Sequence, residues 1–231
     1  DSPRFRYRAT LLDVSRHYFS VEEIKRIIDI MSVYKKNILH WHLTDDQGWR
    51  IEIRKYPLLT EIGSRRPYTQ TLEGRNTSDG IPHGGFYTRK EVEDIVRYAA
   101  ERAVTIIPEI DMPGHLISAL TAYPYLGCSG KSIEFGREYQ VRTCWGIAKD
   151  VLCVGKESSY YFIYDVLDEV LEMFPSEYIH LGGDECPTDS WENCRDCQKF
   201  IKDAGLKASS AHSAENYLQT YFTAKIEKYL N

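Results

Sequence analysis

Four short apolar runs, each ending in a polar cluster and each followed by a helical pattern, limit what this chain can fold into. Residues 7–14, 37–43, 104–110 and 178–181 read as strands. They end respectively at Arg16 and His17, at Asp45 and Asp46, at Asp111 and His115, and at Asp184 and Glu185. The intervening helices are signalled locally. Ser20 with Glu23 and Thr88 with Glu91 have capping-box spacing. Val21, Ile24, Ile28 and Met31 follow the first box at helical spacing, and Val92, Ile95, Val96 and Ala99 follow the second. A third helix is expected over about 159–174, burying Phe162, Ile163, Val166, Val170 and Leu171, with Pro175 after its end. Two more, over about 190–203 and 213–230, close the chain. Strands that are apolar on both sides and alternate with helices argue an α/β fold with a parallel sheet. In a (β/α)8 TIM barrel the active site lies at the C-terminal ends of the strands, so all four polar clusters would face one mouth. Only four βα units are legible, and two long connections, 47–87 and 121–157, take up much of the length. The first includes a short β-excursion near Trp49–Ile53. Residues 1–231 are therefore expected to form one partial TIM-barrel catalytic domain, truncated after about four βα units.

The fourth cluster is the most informative. In Tyr178-Ile179-His180-Leu181-Gly182-Gly183-Asp184-Glu185 a period-two strand loses its side chains at two glycines and ends in adjacent carboxylates. Glycine admits turns and close approaches that other residues resist. Adjacent residues on a regular strand point to opposite faces, but where the strand breaks both can face one cavity. Two close carboxylates repel and tend to share a proton, and an acid beside an anion is what glycoside hydrolysis requires. The same run also occurs as a plain turn with a helix-capping acid, so the case rests on all four clusters together.

Composition removes other classes. The net charge of −5 offers no basic cluster for nucleic acid, and no apolar run reaches the ~20 residues of a membrane span. The first residue is not Met and no signal peptide is present, which suggests a mature or excised segment. Asn76-Thr77-Ser78 matches a glycosylation sequon, a weak signal. Of the six cysteines, Cys194 and Cys197 with nearby Cys186 could supply three zinc ligands, and Cys128 with Cys144 could close a loop. Because no second Cys-x-x-Cys is present, the thiols are taken as structural and no metal is expected.

Four motifs together resemble family 20 glycoside hydrolases, the β-N-acetylhexosaminidases. They are Leu11-Leu12-Asp13-Val14-Ser15-Arg16-His17-Tyr18, His40-Trp41-His42-Leu43-Thr44-Asp45-Asp46, Pro108-Glu109-Ile110-Asp111-Met112-Pro113-Gly114-His115 and His180-Leu181-Gly182-Gly183-Asp184-Glu185. The resemblance covers nearly the whole chain, in the right order. It implies retaining hydrolysis of terminal β-linked N-acetylglucosamine or N-acetylgalactosamine, with the substrate's own 2-acetamido oxygen as nucleophile and no cofactor. It makes Glu185 the general acid and base, and gives Asp184 the acetamido group. Arg16 would bind sugar hydroxyls, while Asp45, Asp111 and His115 would orient the acid. The implied partner is an oligosaccharide or glycoconjugate with a terminal β-N-acetylhexosamine, and the implied location is secreted, periplasmic or lysosomal. The family's later strands supply aromatic pocket walls, and Trp41, Trp49, Trp145 and Trp191 do not fall at those positions. That gap leaves a second reading, a sugar-binding fragment without turnover; a third, built on the cysteines, is a metal- or thiol-stabilised interaction module on Cys186, Cys194 and Cys197. Open strand edges would also favour self-association.

Overall fold

The computed structural model describes residues 2–73 and 77–231. Asn76, the sequon's acceptor, lies outside them. In chain order the elements are β1 (Ala9–Asp13), α1 (Val21–Val33), β2 (Ile38–Asp45), β3 (Gly48–Trp49), α2 (Leu58–Glu61), β4 (Arg65–Arg66), β5 (His83–Gly84), α3 (Arg89–Ala100), β6 (Thr105–Ile110), α4 (Ile117–Ala122), α5 (Glu157–Met173), α6 (Asp189–Glu192), α7 (Arg195–Asp203) and α8 (Ala214–Leu230). Both capping boxes form: the Ser20 and Thr88 hydroxyls accept from Glu23 N–H and Glu91 N–H, and each glutamate reaches back to the cap.

The main sheet is parallel, with β2 between β1 and β6. Residues 178–181 add to the far side of β6, but they are less than a full strand. A single bridge joins His180 to Glu109, with backbone hydrogen bonds from His180 N to Pro108 O (2.9 Å), Ile110 N to His180 O (3.1 Å) and Met112 N to Leu181 O (3.0 Å). Among the described residues they pair on one side only, and the two glycines that follow cut the ladder short. Among the described residues β1 likewise pairs on one side only.

One face of the sheet is covered by helices and holds the core. Leu39, Trp41, Leu43 and Ile110 are fully buried there with Ile24, Ile28, Val92, Ile95, Phe162 and Val166. Leu171 departs from expectation: it is 43% exposed, and Leu167 and Met173 complete the buried stripe of α5 instead. The helix expected over 190–203 is two pieces, α6 and α7, separated by Asn193 and Cys194. Among the described residues no helix is long and apolar enough to cross a membrane.

The β-excursion is a hairpin in which β3 runs antiparallel to the end of β2. The 47–87 connection is anchored by a buried cation. Arg50 donates to the carbonyls of Val14 (3.1 Å), Ser15 (2.7 Å), Ser64 (2.6 Å) and Gly85 (3.0 Å). Burial first, then the charge of Arg66, pulls its pKa down to about 10. These carbonyls replace water around the guanidinium and lock the loop onto the end of β1. Arg66 continues the clamp by donating to Arg16 O (2.8 Å) and Gln47 O (3.1 Å).

Candidate active site

The parallel register sets a row of polar side chains across the sheet. Asp13 is level with His42, His42 with Glu109 and Glu109 with His180. Residues level with one another in a parallel sheet point to the same face, and this row lies on the face away from the helices. His42 Nδ1 donates to Glu109 Oε2 (2.7 Å) and its Nε2 to Asp45 Oδ2 (2.8 Å). His40 Nε2 and His180 Nδ1 also reach Glu109, at 2.6 and 3.0 Å. Burial alone would lower the His42 pKa, but hydrogen bonds to Asp45 and Glu109 overcome it and raise it to about 10. Against the cost of burial, His40 and His42 hold the Glu109 carboxyl far below its usual range.

Just past this row β2 bulges between His42 and Thr44. A bulge re-aims the side chains that follow it, and here it delivers Asp45 to the centre of the site. Asp45 is fully buried. Its Oδ2 meets Arg16 Nη2 at 2.7 Å as well as His42, and its Oδ1 accepts from His115 Nδ1 at 3.1 Å. Burial opposes the charge, yet the hydrogen bonds from His115 and His42 and the Arg16 guanidinium hold Asp45 at about 2. Neighbouring Asp46, buried and beside that anion, is pushed up to about 6. Arg16 is fixed further by Asp13 Oδ2 (3.0 Å) and Gln47 Oε1 (3.0 Å).

His115 links this centre to the carboxylates at the rim. Its buried Nε2 makes no hydrogen bond and lies 3.5 Å from Glu185 Oε2. Burial disfavours its charge, but the bond to Asp45 prevails and brings its pKa to about 9. His115 and Glu185 both have left-handed backbones, φ 54° and 47°. Such conformations cost ~1–3 kcal/mol each and cluster at functional sites. The ligand atoms of His115, Asp184 and Glu185 lie within 4.8 Å of one another, as do those of Asp45, Asp111 and His115.

The two glycines have a specific reason. Gly182 is at φ 64°, and a Cβ there would lie 1.8 Å from Asp111 Oδ1. The close approach expected at this position is thus made by Asp111, whose Oδ1 also accepts from Gly183 N–H at 3.0 Å. Burial raises the Asp111 pKa to about 7, against that N–H, which favours the anion. Gln219 on α8 holds the other side of the turn, donating to Gly183 O at 2.7 Å. Gln219, His42 and Glu109 carried no assigned role in the sequence reading. His42 and Glu109 stood inside quoted motifs, whereas nothing local marked Gln219.

The six proposed site residues therefore lie together on the C-terminal side of the sheet: Arg16, Asp45, His115 and Glu185 form a line of charged contacts, and Asp111 and Asp184 stand beside it. Asp184 and Glu185 lie at its open rim, while Asp45, Asp111 and His115 are buried beneath. A cavity of about 500 Å³ opens nearby, between Ile62, Tyr68, Ile117, Phe135, Arg142 and Asp150, but neither rim carboxylate lines it. Trp41, Trp49 and Trp191 are core residues and Trp145 is 54% exposed.

These protonation states fix a pH dependence. His42 and His115 are raised above the free-histidine value, to about 10 and about 9. Their contribution to stability is complete below about pH 6.5. It is lost as the pH rises through the values they have in the fold. Thermal melts from pH 6.5 to 10 should show a progressive fall in Tm. A flat profile would mean that both imidazoles are neutral at pH 7.

Comparison with known proteins places this arrangement. The model of "Glycosyl hydrolase family 20, catalytic domain" matches residues 5–231. A beta-hexosaminidase of Porphyromonas gingivalis is 52% identical over 100% of this chain and 27% of its own length. One of Vibrio furnissii is 40% identical over 98% of the chain and 36% of its own length. The crystal structure of the beta-N-acetylhexosaminidase from Bacteroides fragilis superposes with a TM-score of 0.79 at 43% identity, covering 99% of this chain and 40% of that one. A GH20 exo beta-N-acetylglucosaminidase from Vibrio harveyi, in complex with N-acetylglucosamine, gives 0.80 at 39% identity, over 96% and 33%. The chain thus spans between 27% and 36% of the two curated relatives.

Proposed function

This chain belongs to glycosyl hydrolase family 20, and on that premise we propose that it carries the acid–base machinery of a retaining β-N-acetylhexosaminidase. Glu185 protonates the glycosidic oxygen as the bond from the anomeric carbon breaks. The substrate's acetamido oxygen forms the new bond to that carbon, and Asp184 accepts the acetamido N–H and balances its growing positive charge. Glu185 then takes a proton from water, which opens the cyclic intermediate with net retention. The observation that carries this reading is the line from buried Asp45 through protonated His115 to Glu185, which sets an imidazolium 3.5 Å from one rim carboxylate while Asp184 stays beside it.

The domain is the first half of a (β/α)8 barrel in this reading, supported by the parallel order of β1, β2, β6 and 178–181. Its substrates are oligosaccharides or glycoconjugates ending in a β-N-acetylhexosamine, it needs no cofactor, and it works in a secreted, periplasmic or lysosomal setting. Strand edges paired on one side only are where an isolated chain would self-associate.

The test uses the protein at its full natural length. A nitrophenyl N-acetylglucosaminide should be hydrolysed to the β-anomer first, followed by NMR. Asp184→Asn should lower kcat by ~10²-fold or more while changing KM little, because the contact strengthens in the transition state. Binding of the sugar without turnover would leave the lectin-like alternative. A change in KM alone would reduce Asp184 to a binding group.

Arg16 gives a separate prediction. Three of its five N–H groups are used on Asp13, Asp45 and Gln47 and Nη1 also lies 3.1 Å from His42 Nε2, which leaves an N–H on Nη2 for a sugar hydroxyl. Lysine cannot reproduce that fork. Arg16→Lys should raise KM by ~10-fold or more, and an unchanged KM would make Arg16 only the counter-ion of Asp45.

A further inference from the structure

Four cysteines that are far apart in sequence meet at one point away from the rim carboxylates. Cys153 Sγ is 3.6 Å from both Cys194 Sγ and Cys197 Sγ, and Cys128 Sγ is 3.9 Å from Cys197 Sγ. All four sulfurs lie within 4.8 Å of one another. Cys153, Cys194 and Cys197 are buried and Cys128 is half-buried. We propose that Cys128, Cys153, Cys194 and Cys197 bind a structural zinc ion.

The distances fit that ion. Zinc–thiolate bonds of ~2.3 Å in a tetrahedron put the sulfurs ~3.8 Å apart. A disulfide needs ~2.05 Å and would join Cys153 to one neighbour, whereas Cys153 stands equally near two. A set of four thiolates suits zinc and leaves no open coordination position, the arrangement of a structural site.

The surrounding backbone is built to hold the sulfurs there. The bridge between Gly127 and Leu152, with Cys153 N donating to Leu126 O (2.8 Å), brings Cys128 and Cys153 side by side. Cys194 caps α7 and Cys197 sits in its first turn. A Cβ on Gly155 would lie 2.4 Å from Cys197 N, so the chain after Cys153 runs directly against that turn. Trp191 Nε1 donates to Leu152 O (2.9 Å), and Lys156 Nζ to Gly127 O (2.7 Å). Binding would release four thiol protons and leave a net −2 on the site. The α7 N-terminus and Lys156 stand where they offset it.

This corrects two expectations. Cys186 is not part of the set, and Cys128 faces Cys197 and not Cys144. The missing second Cys-x-x-Cys is replaced by two loop residues that only the fold brings together. The ion would tie the 121–157 connection to the segment that follows Glu185. Leu152, beside Cys153, also donates to Pro113 O (2.9 Å) in the loop that carries His115.

The experiment is metal analysis of the full-length protein purified without chelator, together with alkylation under denaturing conditions and peptide mass spectrometry. One zinc per chain, released by an organomercurial and absent from Cys197→Ser but retained in Cys144→Ser, is the expected result. Should Cys197→Ser not fold, cobalt exchanged into the unaltered protein must show thiolate charge-transfer bands and the intense visible bands of a tetrahedral site. No metal with free thiols, disulfide-linked peptides from these four positions, iron in place of zinc, octahedral cobalt spectra, or zinc retained by Cys197→Ser would each overturn the assignment.

Discussion

Glu185→Gln in the full-length protein should lower turnover of substrates with poor leaving groups by ~10²–10⁴-fold. Aryl glycosides whose leaving group needs no proton should lose far less in their first step. The substitution keeps shape and removes the proton. Glu185 is half-exposed at the rim, and it meets the fold at the 3.5 Å approach of His115, so folding should be little affected. Its second task, drawing a proton from water, should also fail in the variant. The cyclic intermediate should then persist, and a strong anionic nucleophile such as azide, which needs no base, should restore release with retained configuration. Equal losses on both substrate types, with no azide effect, would remove Glu185 from the acid–base role and move it to substrate binding.

Features set by neighbouring residues were legible in the sequence, and features set by register were not. The capping boxes at Ser20 and Thr88 need only residues three apart, and both form. The run into Asp184 and Glu185 could be recognised because its glycines are adjacent to the carboxylates. That Gly182 makes room for Asp111 could not, because Asp111 is 71 positions earlier. The row Asp13, His42, Glu109 and His180 exists only once three strand pairings are known. In the sequence His42 and Glu109 look like polar interruptions of apolar strands. Asp111 was expected in a supporting set that orients the acid; its Oδ1 accepts from Gly183 N–H, so it acts on the backbone that leads there. The cysteines show the same limit, since Cys128 and Cys153 become neighbours only through the bridge from Gly127 to Leu152.

Asp45→Asn should be the most damaging single-atom change at the site. Asp45 is the anion on which Arg16, His42 and His115 converge, and it is fully buried. An amide of the same shape removes the charge and sets an NH2 group where one of these donors must be accepted. Breaking a buried ion pair from one side costs ~3–5 kcal/mol, because the remaining charge is left without its partner. Part of that cost can be avoided if His115 gives up its proton. The variant should therefore show two linked changes: lower stability to denaturant at pH 7, and a His115 pKa that falls from about 9 toward the range of free histidine. The second change separates this account from simple misfolding, since loss of packing alone would not single out one imidazole. With His115 neutral and free to turn, the line to Glu185 is broken, and kcat should fall even in the fraction that remains folded. Asp46 is a poor substitute, because its Oδ2 lies 3.8 Å from His115 Nδ1, beyond hydrogen-bond distance. Denaturant melts and histidine-resolved NMR titration check both changes. A variant within ~0.5 kcal/mol of the parent, with His115 still titrating near 9, would show that Asp45 is not the charge that holds this site together.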